Sequence, residues 1–264
     1  MDVSYVELKE HCKKVFRSKG IPIGCDEDGA EVIAWCEFIG LDALETLLEE
    51  AKEMDDSLGM TGITEVNRNK DTITFDANHQ SALVLGKLMA DYAIGEIQSK
   101  QYIKLHITNT TRSRMLAYPA YYVAQNNEGC IIFYRTKEGL ERWIFAAPEV
   151  VFPVFAEGYE VEEVILGIIK DKVNYSPLQN ISDKEFLIIC MKETSVITAC
   201  IRKLRNEVQN KQIEMTEASR LRAVFQKSMY YGKKVDQNLW NQLYTIGQQS
   251  LIEATDSSRK RGAG

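Results

Sequence analysis

The chain has 264 residues, 45% of them hydrophobic and 27% charged, with a net charge of −6 at neutral pH. That length can bury a real core, the composition is ordinary for a globular protein, and the acidic balance argues against nonspecific nucleic-acid binding, which needs a face rich in Lys and Arg. The opening Met1-Asp2-Val3-Ser4 lacks a signal peptide's basic and apolar regions, and no apolar run reaches the roughly 18–20 residues of a membrane span, so a cytoplasmic protein without a membrane partner is expected.

The first segment reads as helices. Ser4 and Glu7 have capping-box spacing, and Tyr5, Leu8, Cys12, Val15 and Phe16 recur with helical period up to a stop at Gly20. His11 falls on what reads as an exposed flank. A second helix starts in the acidic stretch Asp26 to Asp28, which suits the positive end of a helix dipole, and buries Val32, Trp35, Cys36 and Ile39. A third follows Asp42, with Leu44, Leu47, Leu48 and Ala51 inward; the acidic run Glu49, Glu50, Glu53, Asp55, Asp56 reads as a solvated face.

Residues 63–66 and 72–75 alternate in polarity around a turn-forming stretch and predict a hairpin. A long amphipathic helix carries Leu85, Leu88, Met89, Tyr92 and Ile97 on one side. Residues 102–108 alternate strictly, with Ile103, Leu105 and Ile107 opposite Lys104 and His106. The polar loop Asn109-Thr110-Thr111-Arg112-Ser113-Arg114 leads into a helix through Leu116, Ala120, Val123 and Ala124, closed at Gly129, and residues 130–134 read as a strand. Strand–loop–helix–strand is the pattern that builds parallel sheet. Further strands are expected at 142–145, 150–155, 164–169 and 186–191. The pattern then turns helical from about Thr194 to Tyr231, and a last helix is marked by Trp240, Leu243, Tyr244, Gly247 and Leu251. The organisation expected is an N-terminal helical cluster (1–58), a central α/β domain (59–193), a C-terminal helical region (194–254) and a mobile tail (255–264).

Chemistry is expected in the loop at 109–114. The carboxyl end of a strand opening onto a helix N-terminus is the usual ligand position in an α/β protein. Asn109, Thr110, Thr111, Arg112, Ser113 and Arg114 together offer hydroxyls, an amide and two guanidinium groups able to grip a phosphate or carboxylate. The structural alternative is that Thr110 or Ser113 only caps the helix. His79 and His106 are the candidate acid/base residues, each also readable as a cap or a packed strand residue. No glycine-rich phosphate loop, Gly-x-Ser-x-Gly elbow or His-Glu-x-x-His pattern occurs. The scattered Cys12, Cys25, Cys36, Cys130, Cys190 and Cys200 contain no Cys-x-x-Cys pair, so reduced thiols and no metal site are expected.

Two stretches carry a resemblance. Ile39-Gly40-Leu41-Asp42-Ala43-Leu44-Glu45 and Asn109-Thr110-Thr111-Arg112, the latter followed by Tyr121-Tyr122, resemble motifs of the malate/L-lactate dehydrogenase family that binds NAD(P) without a Rossmann fold. Those motifs read Arg-Gly-Val-Asp-Ser-His-Gly and Asn-Ser-Asn-His-Phe-Gly. The chain also resembles the bacterial domain of unknown function 3726 family, whose members end like Ser258-Arg259-Lys260-Arg261-Gly262-Ala263-Gly264. The resemblance implies an α/β fold with a mixed sheet flanked by helices and an N-terminal helical cluster, a homodimer, and NAD or NADP as cofactor. It places Arg112 at the family's acid/base histidine, and Ala43 and Leu44 at its serine and histidine. A guanidinium stays protonated at neutral pH and leucine cannot hydrogen-bond a substrate. The reading is therefore a dehydrogenase-like scaffold that binds a small anionic molecule without that acid/base. The alternatives are an active NAD(P)-dependent oxidoreductase on a small 2-oxo or 2-hydroxy acid, and a non-enzymatic homodimeric assembly or accessory protein.

Overall fold

The computed structural model describes residues 1–53, 62–110, 115–173 and 181–249. Thr111, Arg112, Ser113 and Arg114 of the polar loop, Asp55 and Asp56 of the acidic run, Leu251 and the tail 255–264 lie outside the described residues.

Helices α1 (Tyr5–Ser18), α2 (Cys25–Phe38) and α3 (Ala43–Glu53) form the N-terminal cluster. The capping box at Ser4 is complete: its N–H donates to Glu7 Oε2 at 2.8 Å, and the Glu7 N–H donates to Ser4 Oγ at 3.3 Å. Leu8, Cys12, Val15 and Phe16 are buried, with the Phe16 ring packed on Gly29 of α2. Two readings, of His11 and of Glu50, need correction here. His11 is buried, because helix α9 (Gln237–Gln248) packs on its flank and stacks Trp240 3.8 Å over its ring. Asp26 stands in the acidic first turn of α2 as expected, and is in addition buried and paired with Arg17. Glu50 is buried although its acidic neighbours Glu49 and Glu53 are exposed.

Among the described residues the main sheet has eight strands: β2 (Thr64–Arg68), β3 (Thr72–Asp76), β4 (Tyr102–Thr108), β5 (Gly129–Arg135), β6 (Glu141–Ala147), β7 (Val150–Gly158), β8 (Phe186–Met191) and β9 (Ile213–Thr216). Their order is β2-β3-β4-β8-β5-β6-β7-β9. The strand after the polar loop does run in the same direction as β4, but β8 lies between them, antiparallel to both. The parallel neighbours are instead β3 and β4, joined through helix α4 (Ala82–Ile97). A two-stranded ribbon pairs β1 (Asp2–Val3) with β10 (Lys233–Lys234).

Each face of the sheet has its own cover. Helices α4 and α5 (Ala117–Gln125) pack over Ile103, Leu105, Ile107, Ile132 and Ile188. α6 (Val161–Lys170) and α7 (Ser195–Glu207) pack over Phe133, Trp143, Leu187 and Ile189. α6 corrects the strand expected at 164–169: its buried Val161, Val164, Ile165 and Ile169 repeat at three- and four-residue spacing. A six-residue apolar run looks the same in a buried strand and in a buried helix face. α4 is buried on two sides, toward the N-terminal cluster through Leu83 and Val84 and toward the sheet through Leu85 and Met89, so Leu88 is left exposed. Asn126 and Asn127 end α5, and Gly129 opens β5 instead. β9 interrupts the helical stretch expected from Thr194, and α8 (Ala218–Tyr231) follows it.

Candidate functional site

The parallel pair β3 and β4 ends on the same edge of the sheet, Asp76 beside Thr108, and each strand runs from there toward a helix on the same face. The two exit loops are tied together. Ala77 N–H donates to Thr108 O at 2.9 Å and His79 N–H to Asn109 O at 2.7 Å. Asp76 accepts from the Asn78 N–H at 2.8 Å and from Asn109 Nδ2 at 3.1 Å. Those two donors hold its carboxyl below the usual aspartate range. Asn78, His79 and Asn109 all have φ between 52° and 64°. Asn and His are among the non-glycine residues that adopt that region most often, although it is uncommon even for them. Non-glycine residues held there cost roughly 1–3 kcal/mol each and cluster where a surrounding structure imposes them, often at binding sites.

The sequence-predicted residues separate into distinct environments. Asn109 is exposed at the loop entrance and Thr110 is buried, its hydroxyl donating to Gln80 O at 2.8 Å and its N–H to Lys184 O at 2.9 Å. Thr110 is thus a tether between the loop, the start of α4 and the approach to β8. It does not cap α5, whose N-cap is Leu116 with no side-chain cap bond. His79 is exposed on the loop after β3. His106 projects from the sheet face opposite α4 and α5, and its Nε2 lies 2.7 Å from Glu185 Oε2, while Ser182 Oγ donates to Glu185 Oε1 at 3.0 Å. The first resemblance motif forms the turn between α2 and α3, with Gly40 at φ 91° and Asp42 at φ 41°. Ala43 and Leu44 are buried in the helical cluster. Among the described residues no group of three or more His, Cys, Asp or Glu is placed to hold a metal ion. No described helix is long and apolar enough to cross a membrane.

The same edge holds a group that sequence reasoning missed. In register across the sheet, Phe186 of β8 neighbours Tyr134 of β5, Tyr134 neighbours Arg142 of β6, Arg142 neighbours Glu157 of β7, and Glu157 neighbours Glu214 of β9. Arg142, Tyr134, Glu157, Glu214 and Phe155 line a cavity of about 170 Å³, roofed by Leu41 of the α2–α3 turn. Arg142 and Glu157 form an ion pair there. The available signal was parity: Arg142 shares its strand face with Ile144 and Ala146, both buried. The cavity is smaller than the roughly 300–1,000 Å³ typical of sites for drug-sized ligands. It suits a small molecule and does not fit a whole dinucleotide.

Solved structures share this fold. A dehydrogenase from Sinorhizobium meliloti superposes with a TM-score of 0.69 at 12% identity, covering 94% of this chain and 99% of that one. Malate dehydrogenase from Pyrococcus horikoshii gives 0.67 at 10% identity, with 96% of each chain covered. Sulfolactate dehydrogenase from Methanocaldococcus jannaschii gives 0.64 at 13%, covering 95% and 97%. The fold is of the malate/lactate dehydrogenase type. Identity this low makes the likeness one of fold. Within this malate/lactate dehydrogenase-type fold, residues 3–81, which include Gly40 and Asp42, match the family described as protein of unknown function (DUF3726). No curated protein matches the chain by sequence.

Proposed function

We propose that this chain is a dehydrogenase-like scaffold that binds a small anionic ligand at the carboxyl edge of β3 and β4 and lacks the hydride-transfer acid/base of the malate/L-lactate dehydrogenases. The observation that carries the reading is the pair of interlocked exit loops, where Asn78, His79 and Asn109 are held with positive φ beside an Asp76–Asn109 clasp. Such loops at the ends of parallel strands are where ligands bind in α/β folds, and Arg112 and Arg114 supply the positive charge. The structural relatives named for malate and sulfolactate suggest a carboxylate-bearing ligand. Burial of Leu44 and Ala43 supports the loss of the family's proton-transfer and substrate-bonding groups.

The test is a thermal-shift and calorimetric screen of the full chain against NAD(H), NADP(H) and 2-oxo and 2-hydroxy acids, repeated with Arg112→Ala. Binding lost in that variant, without any consumption of NAD(P)H by the native chain, is the expected result. No binding by any of these compounds, or binding unchanged in Arg112→Ala, refutes the site.

A second reading, an active oxidoreductase, is favoured by the His106–Glu185 pair. A carboxylate hydrogen-bonded to one ring nitrogen fixes the tautomer and orients the other for proton exchange. Turnover of NAD(P)H with a 2-oxo acid that is lost in His106→Gln would establish that reading.

A further inference from the structure

The cavity under Leu41 is separate from the interlocked loops. Arg142 lies three strand spacings from β4, roughly 14 Å at 4.7–4.9 Å per strand. Its polar wall has an ordered charge pattern. Arg142, Glu157 and Glu214 are successive cross-strand neighbours, so the row reads plus, minus, minus. Like charges directly opposite each other on paired strands are destabilising, and Arg142 can neutralise only one of the two carboxylates. The wall therefore has one unmatched negative charge at the Glu214 end. At the other end the guanidinium carries five N–H donors in a planar fork, of which Nε pairs with Glu157, with the Tyr134 hydroxyl beside it.

Most of the remaining lining, including Leu41, Phe155 and Ala156, is apolar, Thr216 excepted, and the cavity volume of about 170 Å³ is that of a single mid-sized amino acid. A ligand that answers all three features has a carboxylate at one end, an ammonium a few bonds away and a compact apolar body. We infer that this cavity is a binding site for a free α-amino acid with an aliphatic side chain, its carboxylate on Arg142, its ammonium between Glu157 and Glu214, and its side chain against Leu41 and Phe155. A simple carboxylic acid would leave the Glu157–Glu214 repulsion in place, and a simple amine would leave the guanidinium fork unanswered. Sites built around buried or half-buried polar groups reject analogues that lack the matching group.

The test is calorimetric titration of the full chain with leucine, with 4-methylpentanoate, which lacks the amine, and with 3-methylbutylamine, which lacks the carboxylate. Trp143, which borders the cavity, gives a parallel fluorescence readout. Leucine is expected to bind saturably and on the order of tenfold tighter than either analogue, the effect of one lost charged contact. Arg142→Met should weaken leucine binding by at least about tenfold, and Glu214→Gln should weaken leucine while leaving 4-methylpentanoate no weaker. Glu214 is exposed on an edge strand, so its variant reports even where Arg142→Met fails to fold. Arg112→Ala should leave leucine binding intact, which separates this site from the loop site. The inference is overturned by absence of saturable leucine binding, by equal affinity for 4-methylpentanoate, or by Glu214→Gln binding leucine like the native chain.

Discussion

Gly86 lies where α4 crosses α5, the two helices that follow the interlocked loops. A Cβ at this position would sit 2.8 Å from Pro119 Cγ and 3.2 Å from Leu116 Cδ2. The pyrrolidine ring cannot rotate away, so Gly86→Ala forces the helices apart. Two effects compete. Replacing a helical glycine by alanine gains roughly 0.5–1 kcal/mol of backbone entropy. Inserting a methyl into a packed contact costs about 1–3 kcal/mol. Overpacking wins, and Gly86→Ala should destabilise the chain by up to about 2 kcal/mol. Gly95 is the internal control: it lies in the same helix, and a Cβ there meets nothing within 4 Å. Gly95→Ala should therefore stabilise by roughly 0.5–1 kcal/mol. Urea unfolding of both variants gives the difference directly, provided the denaturant slopes match. If Gly86→Ala is as stabilising as Gly95→Ala, the α4–α5 contact is not close-packed.

Other consequences can be measured. Lys233 Nζ lies 3.1 Å from Glu37 Oε1 and donates to Glu37 O at 2.7 Å, while Glu37 Oε2 accepts from Leu44 N–H at 3.0 Å. Lys233→Met leaves a buried carboxylate and should cost on the order of 3 kcal/mol, much of it recovered in the Glu37→Gln/Lys233→Met double variant; additive losses in urea unfolding would contradict the pairing. Burial lowers the His11 pKa below its ordinary 6.5, the Trp240 backbone and Lys14 being lesser influences. The unfolded chain therefore takes up the proton first, and this contribution to stability is present above pH 6.5 and lost as pH falls below it. His11→Phe should flatten the stability–pH curve in that window, and an unchanged slope would exclude His11 as its source. Asn109→Gly keeps the left-handed backbone but loses the bond to Asp76, whereas Asn109→Val must adopt a φ of 52° and should lose roughly 1–3 kcal/mol more. Equal stability of the two in thermal unfolding would show that the loop relaxes.

Much of the architecture was legible because local rules and packing agreed. The Ser4 capping box, the alternation at 102–108 and the hydrophobic stripes of α1 to α3 each specify an element without help from distant residues. What escaped was set at long range. The run at 164–169 is apolar enough for either a strand or a helix, and only its fit over Trp143 and Ile165's neighbours on α7 decides for helix. β9 is four residues long and is made a strand by its partner β7. The junction from β4 toward α5 was readable from the strand–helix pattern alone. The Arg142 row was not, because Tyr134, Arg142, Glu157 and Glu214 meet only when four strands are in register.

The position of β8 has a consequence for assembly. β4 and β5 are finished early in the chain, yet neither can satisfy its inner edge until Phe186–Met191 has entered between them, after β6, β7 and α6 have been made. Until then the molecule is two half-sheets with open, apolar edges, the kind of surface that pairs with a neighbouring chain. Closure is a late, non-local step and should be slow. A nascent chain halted before Phe186 would therefore be exposed to aggregation, whereas one that has passed Met191 can seal both halves with a single strand.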